Sequence, residues 1–244
     1  MNNATKNTLK WVKSLYLTKY RNTYKCFIVE GDKMVQDALK HHPNQLKCIF
    51  HVSPEIIPYS IPDSCEVFQI KSEDLRRISK MKTPHNSLAV INYLNFSEES
   101  SNLVLACDSI QDPGNFGTII RTADWFGVKT IWASKNTVDK YNSKVIQASM
   151  GSIFRVNVKY LDLKEVLSET KKRVYGTTLN GKVIQDSILQ MDSVIVMGNE
   201  GGGISEEVLK CLDEELLIPG KGFAESLNVG VATGILLSFF TSLE

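Results

Sequence analysis

Polar side chains cluster in three glycine-containing turns, each directly after a short apolar run that predicts a buried strand. The first turn carries Asn115 and, further along the next helix, Arg121; the second carries Glu200 among four glycines; the third carries Ser226 and Asn228. Helix side chains lean toward the N-terminus, so Arg121 is expected to reach back over the first turn. Such groups, together with exposed glycine backbone, would suit a phosphate or a ribose.

Each turn also has a plainer interpretation. Asn115 is well suited to cap the helix that follows it, and Arg121 would then pair with an acidic surface neighbour. Glu200 would lie in solvent on a flexible loop, and Asn228 would only cap a core helix. The glycine spacing does not match the dinucleotide-binding fingerprint, and no Gly-Lys-Ser/Thr follows as in a phosphate-binding loop.

The elements that must position these turns form two α/β segments. In residues 1–95, short apolar strands alternate with helices. The first helix is predicted over residues 7–20 and is amphipathic. Residues 96–102 (FSEESSN) are polar and serine-rich and are the predicted linker. In residues 103–244, strands predicted at 103–108, 130–133, 156–159, 174–178, 194–197 and 216–218 alternate with helices. This pattern predicts a mostly parallel sheet, in which ligands bind beyond the carboxyl ends of the strands.

Charge is distributed unevenly between the two segments. The net charge of the 244 residues is +1, but residues 1–95 carry 14 basic and 8 acidic side chains. The first 25 residues hold six basic side chains and no acidic one. Concentrated positive charge is what a polyanion-binding surface requires, so RNA contact is predicted there; a solvated helix face or an acid-poor leader is the alternative. The predicted RNA contacts are Lys10, Lys13, Lys19, Arg21 and Lys25.

Composition excludes several other classes of protein. No apolar run approaches the ~20 residues that span a bilayer, and the N-terminus lacks an apolar signal-peptide core, so we expect a cytoplasmic protein. The five cysteines are odd in number and widely spaced, as is typical of buried thiols in a reducing compartment. Neither they nor the four histidines show metal-ligand spacing, and no metal is predicted.

Taken together, the motifs resemble a known family. Asn115-x-Gly117-x-x-x-Arg121, the segment Gly198-Asn199-Glu200-Gly201, and residues 218–232 are similar, in order and spacing, to the three motifs of the SpoU/TrmH family of RNA 2′-O-methyltransferases. Residues 147–156 (QASMGSIFRV) also resemble a segment of that family. The likeness covers essentially all of residues 103–240, whereas residues 1–95 more loosely resemble the family's small N-terminal domain, similar to ribosomal protein L30e. One departure is Gly230, where many members carry a small hydroxyl residue.

The resemblance implies an α/β fold whose C-terminal domain, residues 103–244, is a trefoil knot, an arrangement that fold statistics disfavour. It also implies a homodimer with active sites at its interface and S-adenosylmethionine held largely by loop backbone. By position, the catalytic group is Arg121, Asn115, Glu200, Ser226 and Asn228. The matching cofactor-binding positions are Thr178, Gly198, Asn199, Gly201, Ile218, Leu227 and Asn228.

The implied reaction is methyl transfer to a ribose 2′-hydroxyl of structured RNA. A guanidinium is almost wholly protonated near neutrality, so our hypothesis is that Arg121 binds phosphate and stabilises the developing alkoxide. Glu200, or a water that it orients, would receive the proton; its alternative role is to fix the loop or pair with Arg121. The two-domain layout favours ribosomal over transfer RNA by analogy alone. The alternatives are a transfer-RNA methyltransferase, an inactive RNA-binding protein of the same fold, and an unrelated nucleotide-binding protein.

Overall fold

The computed structural model describes residues 2–53, 60–97 and 101–242. The chain forms two compact units, Met1–Ser97 with Tyr141–Phe154, and Glu98–Lys140 with Arg155–Glu244. The segment Tyr141–Phe154 therefore groups with the first unit, although it follows the predicted linker in the chain. The ring of Tyr141 stacks on Phe27 with centroids 4.3 Å apart, and its hydroxyl accepts a hydrogen bond from the Leu94 N–H at 2.9 Å.

Strands and helices alternate through most of the described chain. The strands are β1 (Asn2–Asn3), β2 (Cys26–Glu30), β3 (Leu46–His51), β4 (Glu66–Gln69), β5 (Ser87–Asn92), β6 (Leu103–Cys107), β7 (Thr130–Ser134), β8 (Asn157–Leu161), β9 (Arg173–Val183), β10 (Ser193–Met197) and β11 (Glu214–Leu217). The helices are α1 (Lys6–Ser14), α2 (Thr18–Tyr24), α3 (Asp32–His41), α4 (Ser72–Ile78), α5 (Pro113–Trp125), α6 (Ser143–Ser149), α7 (Leu163–Glu169), α8 (Glu206–Leu209) and α9 (Val229–Thr241).

The first unit is built on a mixed five-stranded sheet in the order β1-β4-β3-β5-β2. Strand β3 pairs parallel with β4 and antiparallel with β5. Buried side chains of α1 and α4, including Val12 and Leu75, pack with Phe50 and Phe68 on one face of the sheet. Helix α3 packs against β2, β3 and β5. The amphipathic segment predicted as one helix over residues 7–20 is interrupted, and forms α1 and the start of α2.

The second unit contains a six-stranded sheet in the order β11-β9-β10-β6-β7-β8, and every strand pairing in it is parallel. The predicted parallel α/β fold is confirmed. From β6 the chain runs outward to β7 and β8 on one side, and the later strands lie on the other side. The order therefore reverses between β6 and β10, the position at which open α/β sheets bind ligands beyond their strand ends.

Both faces of the central strands are covered, which explains why β6 and β10 are apolar throughout. Val104 and Val194 pack with buried residues of α7 and α8. The residues next to Val104 and Val194 in each strand point to the opposite face of the sheet. Helix α9 covers that face, where Phe240 contacts the buried ring of Tyr175 with centroids 5.1 Å apart. None of the helices in the described ranges has the length and apolar character that crossing a bilayer requires.

Strand β9 runs further than the predicted 174–178 because its edge partner changes register. Glu215 of β11 pairs with Gly176, but the next residue, Leu216, pairs with Lys182. A Cβ atom on Gly181 would lie 2.6 Å from the Glu215 carbonyl carbon, so the close approach of the two backbones requires glycine there.

Candidate active site

The turn after β6 is held by Asp112 rather than by Asn115. The Asp112 side chain accepts a hydrogen bond from the Asn115 N–H at 2.8 Å and caps α5, with Pro113 as the first helical residue. The plainer interpretation, in which Asn115 caps this helix, is therefore wrong. The signal was present in the sequence, since an aspartate followed by proline is a typical helix start. Consequently, the amide side chain of Asn115 is available for other contacts.

The three turns meet through that amide. Asn115 Nδ2 donates to Glu200 Oε1 at 3.1 Å, and Asn228 Nδ2 donates to Asn115 Oδ1 at 2.8 Å. Asn228 also caps α9, because its Oδ1 accepts from the N–H groups of Gly230 and Val231 at 3.0 and 3.4 Å. One hydrogen-bonded chain thus links a residue from each motif. We call Asn115, Glu200 and Asn228 the amide–carboxylate cluster.

Glu200 does not project freely into solvent as the plainer interpretation required. Its carboxylate accepts hydrogen bonds from the backbone N–H groups of Gln111 and Asp112 at 3.4 and 3.3 Å, in addition to that from Asn115. The second turn is therefore held against the first. Since the same carboxylate orients the Asn115 amide, loss of Glu200 would release both the turn and the amide.

The glycine-rich turn is closed by its own asparagine. The Asn199 side chain accepts from the N–H groups of Gly201 and Gly202, each at 2.9 Å, and donates to the Ser109 carbonyl at 2.7 Å. A Cβ atom on Gly198 would lie 2.3 Å from the backbone of Gly203. The turn is therefore compact because residue 198 has no side chain.

Arg121 and Ser226 are both exposed, and no hydrogen bond or ion pair joins either side chain to another residue within the described ranges. The alternative in which Arg121 pairs with an acidic neighbour therefore finds no support in this part of the chain. Arg121 follows Gly117 by one helical turn on α5. Its donors remain available to an anion.

The predicted cofactor positions lie on the loops that follow β10 and β11 and in the register change of β9. Thr178 Oγ1 donates to the Glu215 carboxylate at 2.7 Å. Ile218 is half-buried and Leu227 is 49% exposed. Between them, the backbone of residues 220–227 makes no hydrogen bond with any residue described in the structure. This loop therefore presents free donors and acceptors beside apolar side chains.

Sequence reasoning missed Asp108, which directly follows β6. Its buried carboxylate accepts from the Ser205 N–H at 2.8 Å and from the Ser109 hydroxyl at 3.1 Å. It therefore ties the first turn to the start of α8. Burial, together with the charges of Asp108 and Glu200, raises the pKa of the Cys107 thiol well above its usual value. Cys107 therefore stays protonated and unreactive beside the cluster.

The basic segment of the first unit needs one correction. Lys10, Lys13, Lys19 and Lys25 are exposed, but Arg21 is 2% exposed. Its guanidinium donates to the carbonyls of Leu15 and Tyr16 at 3.1 and 2.9 Å, so it holds the junction of α1 and α2. A buried guanidinium cannot reach RNA, and we remove Arg21 from the predicted contacts. No group of histidine, cysteine or acidic side chains in the described residues is arranged to hold a metal ion.

Comparison with known families gives a clear assignment. Residues 102–238, more than half of the chain, match the SpoU rRNA Methylase family. This chain belongs to that family. The matched range contains the amide–carboxylate cluster and every predicted cofactor position. Residues 6–89 separately match the MRM3-like substrate binding domain.

Some relatives of this SpoU family member align along nearly its whole length. The 23S rRNA (guanosine(2553)-2′-O)-methyltransferase RlmP of Bacillus subtilis is 32% identical over 96% of each chain. A structure assigned to the TrmH family of RNA methyltransferases, from Porphyromonas gingivalis, is 34% identical over the full length of both chains, with a TM-score of 0.91. The AdoMet-bound rRNA methyltransferase of Sinorhizobium meliloti is 26% identical, covers 100% of this chain and 97% of that one, and has a TM-score of 0.87.

Proposed function

We propose that this protein transfers a methyl group from S-adenosylmethionine to a ribose 2′-hydroxyl of ribosomal RNA. The observation that carries the proposal is the hydrogen-bonded chain from Asn228 through Asn115 to Glu200, which joins the three motif turns beside the reversal of strand order. Two relatives support the choice of RNA and cofactor, since one is a 23S rRNA 2′-O-methyltransferase and another was solved with AdoMet.

The residues present fit the cofactor. The free backbone of residues 220–227 matches the expectation that loop backbone holds it, and Ile218 and Leu227 add apolar surface. Gly198, Asn199 and Gly201 would line the same place from the glycine-rich turn, and Thr178 from β9. When bound, S-adenosylmethionine supplies a methyl group on a sulfonium that an oxygen nucleophile attacks in line.

The task of the protein is to hold the ribose for that attack, because near-attack positioning is a large part of such catalysis. Arg121 has unused donors and a permanent charge, so it binds the adjacent phosphate and stabilises the developing alkoxide. Ser226 lies on the exposed loop, and in this proposal its hydroxyl contacts the ribose. Asn115 and Asn228 set the edge of the site through their shared hydrogen bond.

Glu200 acts as a positioning residue in this proposal. Three of its contacts run to the backbone of the first turn and to Asn115, which favours the loop-fixing role over pairing with Arg121. A water held at the carboxylate takes the proton of the 2′-hydroxyl and passes it to bulk solvent. Replacing Arg121 with alanine should abolish turnover while leaving the S-adenosylmethionine affinity nearly intact. A large loss of cofactor binding would contradict this role.

Further parts of the proposal concern the rest of the molecule. Residues 1–95 form the RNA-binding domain, residues 96–102 the linker, and residues 103–244 the knotted methyltransferase domain. The match of residues 6–89 to a substrate binding domain supports the first assignment. The protein works as a homodimer, and its ribosomal substrate makes the cytoplasm its proposed location.

Two measurements test the proposal together. Calorimetric titration should show tight S-adenosylmethionine binding and none of nucleoside triphosphates. Mapping of 2′-O-methyl groups on total RNA from cells with and without this protein should then reveal one ribosomal site that depends on it. A missing methyl group on transfer RNA would move the substrate to that class. Intact methylation everywhere, despite cofactor binding, would refute the enzymatic proposal.

A further inference from the structure

A cavity in the first unit lies between α1 and the strands β3 and β4, apart from any residue of the amide–carboxylate cluster. Its volume is about 350 Å³, within the ~300–1,000 Å³ range of small-molecule sites. Trp11 and Phe68 contribute aromatic surface, while Asn7, Lys47 and Glu66 contribute polar groups. The cavity thus offers flat apolar surface with a polar margin, as planar heterocycles require.

The polar groups at this margin are not used by the fold. The side chains of Asn7 and Glu66 are exposed and make no hydrogen bond with any residue in the described part of the chain. The Lys47 ammonium lies over the Trp11 ring, 5.5 Å from its centroid. A cation–π contact at an exposed position is weak, so a planar ligand can replace Lys47 on the ring.

A row of exposed aromatic rings continues from this cavity along α2. The Tyr24 ring meets Trp11 edge-on, with centroids 6.1 Å apart, and Tyr20 lies nearly parallel to Tyr24 at 6.4 Å. Tyr24 is 45% and Tyr20 37% exposed. These tyrosine rings are therefore accessible from solvent.

The first 25 residues bring only positive charge to this row, while the Glu66 carboxylate lies at the margin of the cavity. Lys10, Lys13, Lys19 and Lys25 are exposed on or beside α1 and α2, and no acidic residue occurs in the first 25 positions. Accessible aromatic rings flanked by lysines are the combination with which proteins bind single-stranded nucleic acid. A duplex, whose bases are already stacked, would leave the rings unused.

We propose that the cavity takes one unpaired nucleotide of an RNA ligand. Its base stacks on the Trp11 indole, Lys47 swings from the ring to the phosphate, and Glu66 accepts from N–H donors on the base edge. The bases that follow stack on Tyr24 and Tyr20. The inference rests on the proposed function only in taking RNA as the ligand; it does not require methyl transfer.

The test measures binding of a short fluorescein-labelled single-stranded RNA of mixed sequence, and of the same RNA as a duplex, by fluorescence anisotropy. The wild-type protein should prefer the single strand. Trp11→Leu, which keeps apolar packing but loses the ring, should weaken single-strand binding roughly tenfold or more, and Trp11→Phe should restore most of it. Equal binding by the wild type and Trp11→Leu would overturn the proposal, as would a preference for the duplex.

Two further variants keep the test decisive. Lys47→Ala should weaken binding and lower the salt dependence by about one phosphate contact, whereas Lys40→Ala, at an exposed lysine of α3, should do neither. If circular dichroism shows that Trp11→Leu is unfolded, Tyr24→Ser at an exposed ring tests the same row. Methylation of ribosomal RNA is assayed in parallel on the wild type. Its absence would refute the proposed function, while the binding result judges the nucleotide site independently.

Discussion

Asn115 is the residue on which the amide–carboxylate cluster depends, since it alone contacts both of the other members. Asn115→Asp keeps the size of the side chain but replaces the donor that faces Glu200 Oε1 with a second carboxylate oxygen. Because two like charges would then lie about 3 Å apart, we expect methyl transfer to fall at least roughly tenfold. The rate is measured with ribosomal RNA under saturating cofactor.

A second-site change separates the two roles considered for Glu200. Adding Glu200→Gln to Asn115→Asp reverses donor and acceptor across the same contact and should restore part of the rate. Persistent inactivity of the double variant would instead indicate that the charge of Glu200 takes part in the chemistry. Asn157→Ala is the control. Asn157 is the first residue of the edge strand β8, so it lies away from the carboxyl ends of β6 and β10, where the cluster is found. Full activity in Asn115→Asp would remove Asn115 from the site.

Lys140 gives a second prediction at the residue scale, this time about stability. Burial lowers its pKa to about 8 from 10.5, opposed by the charge of Asp139, and its Nζ donates to the Val158 carbonyl at 2.7 Å. Between pH 8 and 10.5 the unfolded chain therefore binds more protons than the folded protein, so the contribution of Lys140 to stability rises with pH.

Relative to Lys140→Met, the unfolding free energy of the wild type should increase by up to about 3 kcal/mol from pH 8 to pH 10.5. Urea unfolding at several pH values measures this difference. Burial raises the pKa of Cys48 to about 12, and this shift makes stability fall, rather than rise, with increasing pH. Both proteins contain Cys48, so its contribution cancels in the difference between them. Lys135 is an exposed lysine in the same segment between β7 and α6. The unfolding free energy of Lys135→Met should therefore change with pH as that of the wild type does. A flat difference would show that Lys140 is not desolvated.

At the scale of elements, local apolar runs predicted the strands well because β6 and β10 are buried on both faces. What the sequence did not reveal depends on contacts between distant segments. The extension of β9 arises from a register change with β11. Arg21 is buried because its guanidinium binds at the junction of α1 and α2, where the sequence pattern had predicted one continuous helix. The motif spacing identified members of the cluster, and Asp112-Pro113 was a sequence signal for the start of α5. That the freed Asn115 amide joins Glu200 and Asn228 depends on contacts between distant segments.

The packing of α9 on α5 explains the departure at Gly230. A Cβ atom there would lie 2.9 Å from the methyl carbon of Thr118, whereas one on Gly234, in the same helix, would have no neighbour closer than 3.7 Å. Gly230→Ala should therefore destabilise the protein by about 1–3 kcal/mol through overpacking. Gly234→Ala should stabilise it by up to about 1 kcal/mol through helix propensity.

Urea unfolding measures both changes, and Thr118→Ser provides the rescue. Serine removes the methyl group but keeps a hydroxyl for the hydrogen bond that Thr118 donates to the Gly114 carbonyl at 2.9 Å. The double variant Gly230→Ala with Thr118→Ser should regain most of the lost stability. If Gly230→Ala and Gly234→Ala behave alike, the contact between the helices is looser than these distances indicate.

At the scale of the whole molecule, the proposed homodimer has a candidate surface on the second unit. Trp125 of α5 is 84% exposed and Val231 of α9 is 53% exposed. Trp125 follows Arg121 by four residues, so both side chains lie on one side of the helix. A partner that covers Trp125 would therefore lie beside Arg121, which agrees with active sites at the interface.

Sedimentation velocity should give twice the mass of one chain for the wild type. Trp125→Glu places a charge where a stable interface would bury an aromatic side chain, so we expect it to sediment as a monomer and to lose methyl transfer. Ile188→Glu is the matched control, because Ile188 is also 84% exposed but lies outside α5 and α9. It should remain dimeric and active. A wild-type monomer with full activity would exclude the homodimer, and a dimeric Trp125→Glu would move the interface to another surface.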